Sequence, residues 1–138
     1  MYELIYCSTA EVGMTTEKIA ELLAFARIFN QENAITGCLL FYDQEFVQII
    51  EGPQKIVQGL YDRIKKDSRH TNIIFLGQYP ITQRAFSKWS MGYLDLSQNN
   101  ATDKTHFVNN FSILSRMISE KSYGTKAFWY IAKQLLAH

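Results

Sequence analysis

Apolar and polar positions change period several times along this chain, and each change marks an element. Residues 2–8 alternate, so Tyr2, Leu4, Tyr6 and Ser8 share one strand face and Glu3, Ile5 and Cys7 the other. A polar loop follows through Gly13. Thr15 or Thr16 can then cap a helix that carries Glu17 in its first turn. Ile19, Leu22, Leu23, Ala26 and Phe29 recur at steps of three and four, which predicts a helix over 16–32 with a buried stripe. Residues 35–52 read ITGCLLFYDQEFVQIIEG, two apolar runs separated by Asp43-Gln44-Glu45, and predict a β-hairpin. Gly52-Pro53 opens a second helix with Pro at its first helical position. Ile56, Val57, Leu60, Tyr61 and Ile64 form its apolar face, and Lys65 and Lys66 suit the negative end of its dipole. Ile73-Ile74-Phe75-Leu76 predicts a buried fourth strand over 72–79. Residues 89–96 alternate again as a fifth strand, with Trp89, Met91 and Tyr93 on one face.

The order β-α-β-β-α-β is the ferredoxin-like motif, here with one added strand, and the fold class is α+β. In that motif both helices cover one sheet face. Residues 97–103 are polar and read as loop. Phe107, Phe111, Leu114 and Ile118 then recur at helical spacing, residues 121–125 break the pattern, and 126–137 predict a last helix carrying Phe128, Trp129, Ile131, Leu135 and Leu136. The chain therefore divides into a sheet domain, 1–96, and a helical extension, 97–138. The bare sheet face would bury the extension's two apolar stripes; an oligomer or partner interface is the competing use.

Two amides interrupt this pattern. Gln48 shares a face with Phe46 and Ile50, and an amide left unpaired there would cost roughly 1–3 kcal/mol. Asn30 lies four residues after Ala26 and seven after Leu23, so it faces inward too; as a helix-end residue it could equally be a cap. If Tyr6 and Gln48 point to the helix-covered face, they converge with Asn30 in the cleft between the helices. Leu22, Ala26, Leu39, Phe46 and Ile64 would supply apolar walls. Such a slot suits a small molecule or cofactor, and a Tyr–Gln hydrogen bond inside a ligand-free core suits the same residues. The turn Asp67-Ser68-Arg69-His70 is either a solvated loop or a polar rim for a ligand's tail.

Composition narrows the classes. At 138 residues the chain suits one globule that buries about 65–70% of its surface. A net charge of +1 gives no reason to expect direct nucleic-acid binding. No apolar run approaches the roughly 18–20 residues of a membrane span. Met1 leads straight into a strand, so no signal peptide is expected and a cytoplasmic location follows by default. Cys7 and Cys38 read as buried reduced thiols, and with three scattered histidines they give no metal-ligand spacing. Aromatic residues make up 14% of the chain, which suits a protein that wraps a planar ligand.

The segments LIYCS, ARIFN followed by ITGCLLFY, FVQIIEG, DSRH and WSM stand in order and in one register across roughly 2–96. Together they resemble the BLUF family of blue-light sensors that use flavin. The resemblance implies a non-covalent flavin between the two helices, FAD as a rule, with FMN able to take the same place. It implies that Tyr6 is the photoactive tyrosine, Gln48 the switching glutamine and Asn30 the amide that hydrogen-bonds the ring. Trp89 and Met91 match the fifth-strand pair linked to signalling. Arg69 and His70 fall near the ribityl-phosphate end, and Asp67 belongs to the same turn. Phe29 stands where some members make a polar contact, so that contact is absent. The implied protein is no enzyme. It signals to a separate regulatory protein or enzyme, with homo-oligomers common in the family. The competing readings are a small flavin or acyl-phosphate enzyme, for which the chain offers no Gly-rich phosphate loop and no nucleophile–base pair, and a flavin-free interaction module.

Overall fold

The computed structural model describes residues 1–95 and 122–136. Strands β1 (Tyr2–Ala10), β2 (Thr36–Tyr42), β3 (Glu45–Gly52), β4 (His70–Pro80) and β5 (Gly92–Asp95) form one sheet in the order β4-β1-β3-β2-β5. Helix α1 (Thr16–Glu32) joins β1 to β2, α2 (Gln54–Lys65) joins β3 to β4, and α3 (Tyr123–Leu136) comes last. The first four strands pair antiparallel in the ferredoxin-like order, and β5 adds parallel to β2. The predicted helix carrying Phe107, Phe111, Leu114 and Ile118 lies outside the described residues.

The alternation in β1 and β3 builds two cores. On one face Leu4, Tyr6, Phe46 and Ile50 meet Ile19 and Leu23 of α1 and Val57 and Tyr61 of α2. On the other, Ile5, Val47 and Ile49 meet Phe86 and the α3 side chains Phe128 and Trp129. The C-terminal helix therefore covers the sheet face that the first two helices leave bare. Thr15 is the cap of α1, its hydroxyl accepting from the Lys18 N–H at 3.2 Å, a contact of about 1 kcal/mol. At the other end the cap is Asn33, whose amide donates to the Phe29 carbonyl at 2.8 Å. Asn30 is thus free of capping duty and sits buried.

Four expectations change. The turn of the β2–β3 hairpin is two residues long: Asp43 (φ 48°) and Gln44 (φ 64°) both take left-handed backbone, as a type I′ turn requires, and Glu45 pairs with Tyr42 inside the ladder. Pro53 caps α2 from one residue outside it. The apolar run of β4 is not buried: among the described residues β4 lies at the edge of the sheet beside β1, and Ile74 and Phe75 are 55% and 52% exposed. A continuous apolar run reads as buried on both faces, but α1, α2 and α3 centre on the middle strands. Finally, β5 starts at Gly92, so Trp89 and Met91 precede it and do not share a face. Met91 packs into the α1–α2 core and Trp89 against Phe86 in the other. The segment between them is a turn held from several sides. Trp89 N–H donates to the Phe86 carbonyl, Gly37 N–H to the Trp89 carbonyl at 3.1 Å, the Asn30 amide to the Ser90 carbonyl at 2.7 Å and Arg27 Nε to the Met91 carbonyl at 2.9 Å.

Two acids are fully buried on the α3 face, and they are register partners: Glu3 of β1 and Glu51 of β3. Glu51 accepts the N–H groups of Ala85 (3.0 Å) and Phe86 (2.7 Å) and the Thr36 hydroxyl (2.7 Å). Glu3 accepts the Gly124 N–H (2.8 Å) and the Ser122 hydroxyl (2.6 Å). Burial lifts the Glu3 carboxyl above its ordinary value, the Ser122 and Gly124 donors pull it partly back, and nearby Glu51 adds to the rise.

Two expected outcomes follow from this packing. A Cβ on Gly37 would lie 2.1 Å from the Ile49 carbonyl oxygen, so Gly37→Ala should cost about 1–3 kcal/mol, read as a lower denaturation midpoint. Folded Glu3 holds its proton more tightly than the unfolded chain does. Its contribution to stability is therefore present below the ordinary carboxyl value of 4.5 and is lost as pH rises through the raised one. Unfolding midpoints should show that slope in the wild type and not in Glu3→Gln.

Candidate flavin site

One rung of the sheet crosses all five strands: Phe75, Tyr6, Gln48, Leu39 and Tyr93 are successive register partners. Strand parity turns Tyr6, Gln48 and Leu39 toward α1 and α2. Between those helices lies a cavity of about 340 Å³. Its floor is the Tyr6, Gln48 and Leu39 part of this rung, its α1 wall includes Leu22, Ala26 and Asn30, and its α2 wall includes Leu60 and Ile64. Met91 lines it on one side of Gln48 and Phe46 on the other, and Asp67, Arg69 and His70 stand along the rim. The structure thus brings Tyr6, Leu22, Ala26, Asn30, Leu39, Phe46, Gln48, Ile64, Asp67, Arg69 and His70 to one cavity. Trp89 is not among its lining residues.

The polar groups beside Gln48 form a chain. Tyr6 Oη donates to Gln48 Oε1, and Gln48 Nε2 donates to the Met91 sulfur at 3.5 Å. Sulfur is a weak acceptor, so the amide N–H side of Gln48 is the loosely held end of this chain. Burial pushes the Tyr6 phenol far above its ordinary 10.0, with neighbouring Tyr61 and Asp67 adding to the rise. At neutral pH Tyr6 is therefore a neutral phenol. Its ring packs beside Tyr61 at 5.5 Å and His70 at 6.3 Å.

At the rim the roles separate. His70 spends both ring nitrogens on the protein: Nε2 donates to the Ile64 carbonyl at 2.7 Å and Nδ1 pairs with Ser8 Oγ at 2.8 Å. It pins the end of α2 to β1. Asp67 accepts from Arg69 Nε and Nη2 and from the Arg69 backbone N–H, and the Arg69 side chain holds the Asp67 carboxyl below its ordinary value. Arg63 lies over the Phe29 ring at 4.8 Å and so bridges α2 to α1 across the mouth. The position that lacks a polar side chain thereby gains a stacked cation.

Sequence reasoning missed Arg63, Lys66, Leu60 and Phe25 as lining residues. A signal was present. Leu60, Arg63, Ile64 and Asp67 fall at i, i+3, i+4 and i+7, one face of a helix, and the long stem of an arginine can lie along such a face.

The residues fit a flavin. A planar ring with a polar edge needs an apolar slot that ends in amides, which Leu22, Ala26 and Leu39 beside Asn30 and Gln48 provide. A phosphorylated tail needs cations at the mouth, where Arg63, Lys66 and Arg69 stand. A ferredoxin-like sheet with this slot between its two helices has the shape of a flavin-binding domain. Residues 1–92 match the family described as BLUF, sensors of blue-light using FAD, and the chain belongs to that family.

The chain is 35% identical over 100 residues to the blue light- and temperature-regulated antirepressor BluF of Escherichia coli (strain K12), and 34% identical over 89 residues to the photoactivated adenylate cyclase subunit beta of Euglena longa. These matches cover 72% and 64% of this chain. They span a quarter (25%) of the first relative's length and a tenth (10%) of the second's. Among solved structures, BlsA in its photo-activated state is 30% identical and superposes with a TM-score of 0.70, the match covering 99% of this chain and 95% of that one. No described helix is long and apolar enough to cross a membrane.

Because the Tyr6 phenol ionises far above the ordinary range, ultraviolet titration to about pH 10 should give the same phenolate absorbance for wild type and Tyr6→Phe. An excess in the wild type would show that Tyr6 ionises with the exposed tyrosines.

Proposed function

We propose that this chain senses blue light through the Tyr6–Gln48–Met91 chain, and that the observation carrying this reading is Gln48's position between a strong donor and a weak acceptor. Bound flavin supplies the blue absorption and, once excited, the oxidising power that draws an electron from a neighbouring phenol. Tyr6 loses its proton along the hydrogen bond it already makes to Gln48 Oε1. Gln48 then reverses its donor and acceptor ends, by rotation or by tautomerisation, and Asn30 and Gln48 present a different hydrogen-bond pattern to the ring. The electron and the proton would both return to Tyr6, leaving the reversed Gln48 as the difference between lit and dark protein, and that difference relaxes in the dark because no covalent bond has formed. Leu22, Ala26, Leu39, Phe46 and Ile64 hold the ring dry and flat, and Arg69, with Asp67 setting its orientation, meets the phosphate end.

The output starts at Met91, which loses or changes its contact when Gln48 turns. Trp89 and Met91 sit on opposite sides of the sheet, so a slide along the strand does not exchange them; the 84–91 turn must rotate instead. That turn packs Phe86 on Phe128 and Trp129 of α3, so residues 97–138 serve as the output element and 1–96 as the sensor. The receiver is a separate protein in the cytoplasm, and homo-oligomers of the chain are the form that presents the output surface.

Absorption spectra of the FAD-loaded protein, in darkness and under blue light, test this. The wild type should shift to the red and relax, and Gln48→Ala should bind flavin without the shift. Met91→Ala should keep the shift and lose most of the light-dependent structural change in α3. A wild-type spectrum that does not move under light would overturn the switch.

A further inference from the structure

The β1–β3 ladder carries two side-chain pairs that matter. Tyr6 and Gln48 are register partners on the flavin face, and Glu3 and Glu51 are register partners three positions along the same ladder. Three is odd, so the acids emerge on the opposite face, about 10 Å away along the strands. There each acid holds a different piece of chain. Glu51 holds the N–H groups of Ala85 and Phe86, and the Arg84 guanidinium donates to the Glu51 backbone carbonyl at 3.1 Å. This fixes the root of the turn that ends at Met91. Glu3 holds the start of α3. It accepts the Gly124 N–H and the Ser122 hydroxyl, and the same Ser122 oxygen caps the helix by accepting the Thr125 N–H at 3.1 Å.

Gly124 supports this reading independently. A Cβ there would lie 2.4 Å from Glu3 Oε1 and 2.9 Å from Ile5 Cδ1. Glycine is a poor helix former, and its place in the first turn of α3 is explained by the approach of the carboxylate. Besides the packing of Phe128 and Trp129 on Ile5, Val47 and Ile49, two contacts set how the helix is seated. One is Glu3, on a central strand. The other is the Phe86 ring, on the turn that leads to Met91, against Phe128 and Trp129.

We propose that Glu3 is the positioning residue that turns movement of the 84–91 segment into movement of α3, acting as the fixed pivot about which Phe86 swings the helix. This rests on the sensor reading above and names its output contact. If the pivot is removed, the first turn of α3 loses its anchor and the helix no longer changes its seating with light. A glutamine can replace the acid, because its carbonyl accepts the Gly124 N–H and its amide donates to the Ser122 hydroxyl.

The test uses the full chain loaded with FAD, as wild type, Glu3→Ala, Glu3→Gln and Gly124→Ala. Two quantities are read: the blue-light absorption shift, and amide hydrogen exchange of residues 124–131 in darkness and under light. All four proteins should shift to the red. Glu3→Ala and Gly124→Ala should exchange about tenfold faster in the dark, the equivalent of one lost charge-assisted hydrogen bond, and show no light–dark difference. Glu3→Gln should restore both protection and difference. If Glu3→Ala keeps the light–dark difference, with or without faster exchange, Glu3 is only structural and the proposal is overturned. If Glu3→Ala does not fold, Gly124→Ala decides on the same criterion. A wild type without any spectral shift overturns the sensor reading instead, whatever α3 does.

Discussion

The hydrogen bond from Tyr6 to Gln48 is the constraint on which the rest depends. It joins two central strands through their side chains as well as their backbones. It also places a phenol and an amide in the middle of an apolar face, where each must have a partner. That requirement shapes the surroundings. The helices stand apart over this rung instead of closing on it, because a closed apolar core would leave the second side of the Gln48 amide unpaired at a cost of roughly 1–3 kcal/mol. The slot between the helices, the sulfur of Met91 and the inward Asn30 all answer the same need.

Much of this was legible in the sequence, and for a definite reason. A polar residue at an apolar beat of a regular period must find a polar partner, and Gln48, Asn30 and Tyr6 each fall on such a beat. The order of elements followed from the period changes, and the bounds of α1 were readable because Thr15 caps it within three residues. The hairpin was readable from its two apolar runs. Its short turn was not, because neither Asp43 nor Gln44 is a glycine.

The misses share a cause. Alternation locates side chains only while the backbone is a strand. Between Phe86 and Gly92 it is a turn, held by the side chains of Asn30 and Arg27 from a helix about sixty residues earlier, and parity there put Trp89 on the wrong side. The β4 run misled because exposure depends on position in the sheet order, which local pattern does not encode. Glu3 showed only as the polar member of an alternating strand, since the groups that satisfy it lie 119 and 121 residues away in the chain. Arg63 falls on the same helical face as Leu60 and Ile64, but only the position of α1 brings Phe29 beneath it.

The three-residue offset in the β1–β3 ladder has a consequence for how such a chain can vary. Substitutions within the offset change sizes and contacts, but the offset itself must stay an odd number of positions. A one-residue insertion or deletion between Glu3 and Tyr6 would put both on one face, either bringing the carboxylate to the flavin side or turning the phenol toward α3. Length along this short stretch is therefore under stricter control than composition. Variants that keep the sensing chemistry while altering what it addresses have to change the far ends of the acids' contacts, in the first turn of the last helix, rather than the ladder itself.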